Sequence, residues 1–167
     1  MFSDGLMHSL LSGLNIDVMA DKSCVVYING QYWGIHNLRE RIDNDHLAIK
    51  YKVKKKDITI IESGNLISGK EEDYDDYKEL ITFSQQNDLS SDENYQYVAD
   101  RINIKNFIDY MIAEIYFTNT DWPANNVKCY RIISDDVDSQ KRKWNYILWD
   151  LDYGYGYTGS DAYQTDM

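Results

Sequence analysis

The tightest constraint on the fold lies between residues 103 and 150. Asn103 is a good helix N-cap, and Phe107, Ile108, Met111, Ile112 and Ile115 recur behind it at helical spacing, which predicts a helix. This is the most hydrophobic helix of the chain and is expected at its centre. It runs straight into NTDWPANN (119–126), where Pro123 and the paired asparagines stop it. VKCYRII and RKWNYILWD then read as two strands, 127–133 and 142–150, joined by the polar loop SDDVDSQK. A core-like strand thus ends in two carboxylates, Asp150 and Asp152, followed by Gly154 and Gly156.

With its turn centred near Asp138, this antiparallel hairpin would set Asn126 opposite Asp150, and directly opposed residues share one face of a sheet. Asp121, Asp150 and Asp152 would then crowd one end of the sheet. Two bare carboxylates about 4 Å apart repel by about 4 kcal/mol at an effective dielectric of about 20. A cation, a shared proton or solvent must relieve that. Oxygen donors from Asp and Asn suit Mg²⁺, Mn²⁺ or Ca²⁺ better than zinc, so a metal site is the favoured expectation. The bland alternative is a strand end whose acids cap a turn.

The rest of the chain reads as α+β. Residues 2–14 place Phe2, Leu6, Leu10 and Leu14, with Met7 and Leu11, on one helical face. SCVVYINGQYWGIHNLRERI is a β-hairpin turning at Asn29-Gly30, whose second arm ends near Arg39, Glu40 and Arg41. Lys50, Lys52, Lys54, Lys55 and Lys56 read as a solvated loop, DITIIES as a strand and ESGNLISGKEED as a loop. Tyr74, Tyr77, Leu80 and Ile81 mark a helix face, and Ser90 with Glu93 forms a capping box for a further helix. One domain is expected over 1–167: a hairpin-containing part (1–70), a helical part (71–118), a loop and hairpin carrying the acids (119–157), and a tail (158–167).

Composition excludes several classes. At 167 residues, 43% hydrophobic and 27% charged, the chain is long and apolar enough for a real core. A net charge of −11 repels nucleic-acid phosphates, so no nucleic-acid partner is expected. No run of 18 apolar residues occurs and no signal peptide is visible, so no membrane span is expected. Cys24 and Cys129 are too few for a disulfide framework; they read as structural thiols, with pairing the alternative. The fifteen tyrosines and four tryptophans hint at contact with carbohydrate at a cell surface. His8, His36 and His46 are scattered and carry no assigned chemistry.

The spacing of the acids also carries a reaction. In phosphoryl transfer of the kinase type, a base Asp precedes a metal-binding Asn by five residues, and an Asp before a glycine follows after further chain. Asp121 and Asn126 are five apart, a hairpin follows, and Asp150 and Asp152 precede Gly154.

YINGQYWGIHNLRERID, NTDWPANNVKCYR and KWNYILWDLDYGYG, in this order, resemble the CotH kinase family, the spore-coat-type atypical protein kinases with surface relatives in bacteria and some fungi. The similarity covers Met1 to Gly156. It implies a divergent protein-kinase-like fold that binds ATP with Mg²⁺ or Mn²⁺ and phosphorylates serine or threonine of a protein substrate, in a secreted or cell-surface setting. Position by position it implies Asp121 as the catalytic Asp, Asn126 as a metal ligand with Asn125 the weaker neighbour, and Asp150 as the metal carboxylate. Asp152 would be a second ligand or a local helper, although DYG taken literally favours it over Asp150. Glu40 would orient a basic residue or reach the metal.

The chain departs from the family at two places. Many members carry a Leu-Tyr-Lys segment downstream of the hairpin; DITIIESG has no lysine, so Arg39 or Arg41 is expected to clamp phosphate. Asn29-Gly30 reads as a plain turn, with a loop over phosphates the alternative. Family domains generally begin upstream of MFSDGL and continue with helices past WDLDYGYG, so an incomplete domain with exposed apolar surface is expected. The competing classes are a non-catalytic surface or adhesion module that keeps the fold, and a Ca²⁺-stabilised module.

Overall fold

The computed structural model describes residues 2–156, and the expected tail (158–167) lies outside them. The elements follow as α1 (Phe2–Leu10), β1 (Asp21–Ile28), β2 (Gln31–Arg39), α2 (Asn44–Tyr51), β3 (Ile58–Glu62), β4 (Asn65–Ser68), α3 (Glu71–Gln86), α4 (Asp92–Ala99), α5 (Ile104–Phe117), β5 (Lys128–Ile132) and β6 (Asn145–Ile147). β1 and β2 pair as a separate ribbon, while β4-β3-β5-β6 form an antiparallel sheet. The α+β class is therefore the one observed.

The four-stranded sheet is covered on both faces. Ile58 and Ile60 of β3, Tyr130 and Ile132 of β5 and Ile147 of β6 pack with Ile42 and Leu47 on the α2 side. Ile61, Cys129 and Tyr146 face the larger cluster built from Leu80, Tyr110, Phe117 and Trp144. A strand buried on both faces reads as a continuous apolar run, which is why ITII stands out in the sequence.

Several expectations need correction. The lysine-rich segment is not all loop: α2 starts where the Asp43 carboxylate accepts the His46 N–H (3.0 Å) and ends at Lys52 in the left-handed region. Leu47 is its one fully buried residue, too little apolar periodicity to see in the sequence. Lys50 pairs with the buried Asp17, so it is no idle surface charge. ESGNLISGKEED contains β4, joined to β3 through Ser63-Gly64, both at positive φ. The capping box does not form: Ser90 gives its N–H (2.9 Å) and hydroxyl (2.8 Å) to Asp88, and Ser91 is the N-cap. The Asn103 cap does form, accepting the Asn106 N–H at 3.2 Å. Cys129 is buried and Cys24 exposed, both as free thiols.

The final hairpin is shorter than expected and shifted by one residue, pairing Lys128 with Ile147 and Tyr130 with Asn145. Asn145 causes this: its amide donates to Gln140 O (2.9 Å) and Lys143 O (2.7 Å), folding the end of the connecting loop and delaying the strand. Asn126 therefore does not face Asp150 across a ladder.

Two helices are rotated from their apolar stripes. α1 ends at Leu10 rather than 14, leaves Leu6 and Leu10 exposed, and buries Asp4, Met7 and His8. α5 exposes Ile108, Ile112 and Ile115 and buries Asn106, Tyr110, Glu114 and Phe117. In each case polar side chains with specific partners outcompete part of the apolar face.

Candidate functional site

The site begins where α5 stops. Thr118 takes the left-handed conformation and caps the helix with its N–H on Glu114 O and Ile115 O. The next residue, Asn119, is buried and donates its amide to Glu114 Oε2 (2.9 Å) and to Asp150 O (3.4 Å). The loop is pinned again by Trp122, whose indole N–H donates to Tyr110 OH at 2.7 Å, and by the Thr120 hydroxyl on Tyr153 O at 3.4 Å. The Trp122–Pro123 peptide is cis.

Asp121 sits half-buried at the loop's tip. Asn125 donates its amide to Asp121 Oδ1 and Asn126 donates to Oδ2, both at 2.9 Å. The Asn126 amide also reaches Asp150 O at 3.4 Å. With both N–H directions of Asn126 directed at acceptors, its Oδ1 remains the lone-pair donor of the side chain. Asn126 and Asp150 both hold positive φ (61° and 53°), conformations unusual outside glycine and concentrated at functional sites.

Asp152 is close enough to act on Asp150. Burial, then the Asp152 charge, pushes the Asp150 carboxyl up to about 6. Between them in sequence, Leu151 N–H donates to Asp4 Oδ1 at 2.9 Å. Asp4 also pairs with Arg39 and has His8 Nε2 at 3.5 Å. Burial works to raise the Asp4 carboxyl, but the His8 and Leu151 hydrogen bonds with the Arg39 charge hold it down to about 2. Below the loop, burial lifts Glu114 to about 7 despite the Asn119 amide.

A cavity of about 250 Å³ opens beside this cluster, lined by Met19, Arg39, Glu40, Arg41, Trp149 and Asp150. Arg39 and Glu40, expected at the nucleotide, thus share a wall with Asp150, expected at the metal. Glu40 also closes the base of the hairpin, its carboxylate accepting the Ala20 N–H (3.0 Å) and its own N–H donating to Ala20 O (2.9 Å). Asp121 is joined to the cavity through Asn126 rather than lining it. The three-carboxylate cluster does not assemble: among the described residues no group of three or more His, Cys, Asp or Glu side chains is placed to hold a metal. Asp150 and Asp152 interact, and an amide separates the third acid from them. Asp4 and Glu114 were missed by sequence reasoning; an Asp-x-x-x-His pair on α1 was the available signal for the first, and a Glu inside an apolar helix for the second.

Compared with known protein families, residues 1–166 match the family described as CotH kinase protein. The chain belongs to the CotH kinase family. No curated protein matches it. Among the described residues of this CotH kinase chain, no helix is long and apolar enough to cross a membrane.

Carboxylate and amide oxygens of this kind suit a hard divalent ion, and of Asp150, Asp152 and Asn126 only Asp150 lines the cavity. Mg²⁺ accepts one or two carboxylates, keeps several waters and completes its shell with phosphate oxygens. Asp150 and Asp152, with Asn126 Oδ1, are the residues that would hold it, and the mutual repulsion of the two acids is the charge such an ion neutralises. When bound, the ion would supply charge neutralisation on the phosphate oxygens.

Proposed function

We propose that the chain is a metal-dependent protein kinase with a divergent kinase-like fold, transferring the γ-phosphoryl group of ATP to a serine or threonine hydroxyl of a protein. The observation that carries this reading is the Asn126 amide, which ties the Asp121 carboxylate to the Asp150 backbone while Asp150 shares its cavity with Arg39. These contacts support a cluster in which Asp121 would serve as base, Asn126 and Asp150 as metal ligands and Arg39 as the phosphate-binding cation, the parts phosphoryl transfer requires.

In this reading Asp121 accepts the substrate hydroxyl proton as the new oxygen–phosphorus bond forms and the bond to the β-phosphate oxygen breaks, releasing ADP. Asn126, Asp150 and Asp152 hold Mg²⁺ or Mn²⁺. Arg39 takes the place of the missing lysine; Arg41 is the poorer candidate, its side chain 80% exposed and only 4.0 Å from Asp43.

Mg²⁺ with ATP at about 100 times its Kd is expected to stabilise the fold by about 2.7 kcal/mol, and Asp150→Ala is expected to abolish the gain. Asp121→Asn is expected to keep nucleotide binding and lower transfer to a protein acceptor by about 10²–10⁴-fold. Wild-type protein that gains no stability from ATP with either Mg²⁺ or Mn²⁺ would overturn the proposal. A second reading, a surface or adhesion module, draws on the exposed Tyr27, Tyr32, Trp33 and Ile35 of the β1–β2 ribbon. Ligand capture by that ribbon that survives Asp121→Asn, without phosphoryl transfer, would favour it.

A further inference from the structure

Asp4 is out of place by every rule of helix amphipathicity. α1 leaves Leu6 at 42% and Leu10 at 60% exposure while Asp4 is 1% exposed. A buried carboxylate is tolerated only when charge and hydrogen bonds compensate it; here Oδ1 takes a hydrogen bond, while Oδ2 has the Arg39 charge and no hydrogen bond of its own. Oδ1 accepts the Leu151 N–H, the peptide that joins Asp150 to Asp152, and Oδ2 meets Arg39 Nη1. One side chain near the start of the chain therefore clamps the end of β2 to the acidic loop that follows β6.

Arg39 is equally telling. The Asp4 pair uses Nη1, while Nε and Nη2 are buried without a hydrogen-bond partner among the described residues. Buried guanidinium donors left unmade are costly and rare in native structures. They belong to a side chain that lines the same cavity as Asp150. A guanidinium held on one side by a carboxylate, with two buried donors unpaired among the described residues, offers the two parallel N–H bonds that phosphate oxygens take. Arg41 offers no such arrangement, being solvent-exposed and loosely paired.

We propose that Asp4 is the positioning residue of this phosphate site: it fixes the Arg39 guanidinium relative to the Asp150–Asp152 loop, so that Arg39 Nε and Nη2 bind phosphate oxygens beside Asp150. For ATP as the natural ligand the inference rests on the kinase reading above; for phosphate binding as such it stands by itself. Asp4 touches neither substrate nor metal and acts through Arg39 and the Leu151 peptide.

The probe is inorganic tripolyphosphate with Mg²⁺, titrated calorimetrically into the whole chain, which reports the phosphate site without requiring transfer. Asp4→Asn keeps the shape and the acceptor for Leu151 but removes the charge that orients Arg39. It is expected to weaken tripolyphosphate binding about tenfold or more, and Arg39→Gln by at least as much. In the Arg39→Gln background, Asp4→Asn is expected to cost almost nothing further, because the two side chains act as one unit. A merely structural Asp4 would instead weaken binding additively in both backgrounds, or lower the melting temperature with binding intact, and either result overturns the proposal. Should Asp4→Asn not fold, Arg39→Gln carries the test: unchanged tripolyphosphate affinity overturns it. Wild-type protein that does not bind tripolyphosphate overturns it as well. Tripolyphosphate binding that depends on Arg39 and Asp4, without phosphoryl transfer from ATP, supports the proposal while rejecting the kinase reading.

Discussion

The two β-sheets of this chain are built on opposite principles. The β1–β2 ribbon is the longer ladder, running from the Asp21–Arg39 pair to Ile28–Gln31, yet Val25, Tyr27, Trp33, Ile35 and Leu38 all lie exposed on it. Its organiser is local: Asn29 and Gly30 both sit at positive φ, the geometry a two-residue hairpin turn demands. The four-stranded sheet has much shorter ladders, only three residue pairs between β5 and β6, but Ile60, Ile61, Tyr130 and Ile147 are at most 2% exposed. Main-chain pairing and turn chemistry set the first; burial sets the second. The candidate site lies where the two meet, with Arg39 and Glu40 brought by the ribbon and Asp150 by the chain leaving β6.

The comparison breaks most visibly in the core. Trp144 is fully buried, with Tyr77 edge-on at 4.9 Å and the Arg131 guanidinium over its ring at 4.9 Å. Trp144→Ala is expected to cost about 3–5 kcal/mol in denaturant unfolding. Next comes the ribbon's turn: Gly30→Ala forces a Cβ onto a residue at φ +82° and is expected to cost about 1–2 kcal/mol. Its signature is regional, with faster amide exchange in β1 and β2 and unchanged protection in β3 and β5. Uniform loss of protection would show that ribbon and sheet are one cooperative unit.

A smaller effect comes from the seam between them. The Asp150 carboxyl is raised in the fold to about 6, so the folded state holds a proton that the unfolded chain has already released. This contribution is fully present below about pH 4 and is lost as pH rises through about 6. Solvent screening of a half-open carboxylate limits it to about 1 kcal/mol. Mg²⁺ is expected to flatten the pH profile, and Asp152→Asn to reduce it; a slope of opposite sign would remove Asp150 as its source. The least effect belongs to the ribbon's faces: Ile35→Thr, at a 70% exposed position, is expected to change stability by less than about 0.5 kcal/mol.

Much of the fold was legible because the signals were local. The Asn29-Gly30 turn, the Asn103 cap and the apolar run of β3 each act within a few residues, so sequence spacing reports them directly. α2 and β4 escaped because they are short and bury little apolar surface, leaving no periodicity to read. The register of the final hairpin escaped because the Asn145 amide turns back on its own loop, a choice invisible in strand propensity. The meeting of Asn126 with Asp150 was legible in outline, but the contact is an amide on a backbone carbonyl, not two opposed side chains.

Sequence by itself picked out the candidates for chemistry: Asp121, Asn126 and Asp150 by residue type and spacing, and Arg39, beside Arg41, only through the family resemblance. Only the tertiary structure decided that α1 and α5 turn polar side chains inward and leave isoleucines and leucines outside. The reason is energetic: a buried Asp4 or Glu114 left without partners is costly, and while Asn119 lies within a few residues of Glu114, the Asp4 partners Arg39 and Leu151 become visible only once distant segments have packed together.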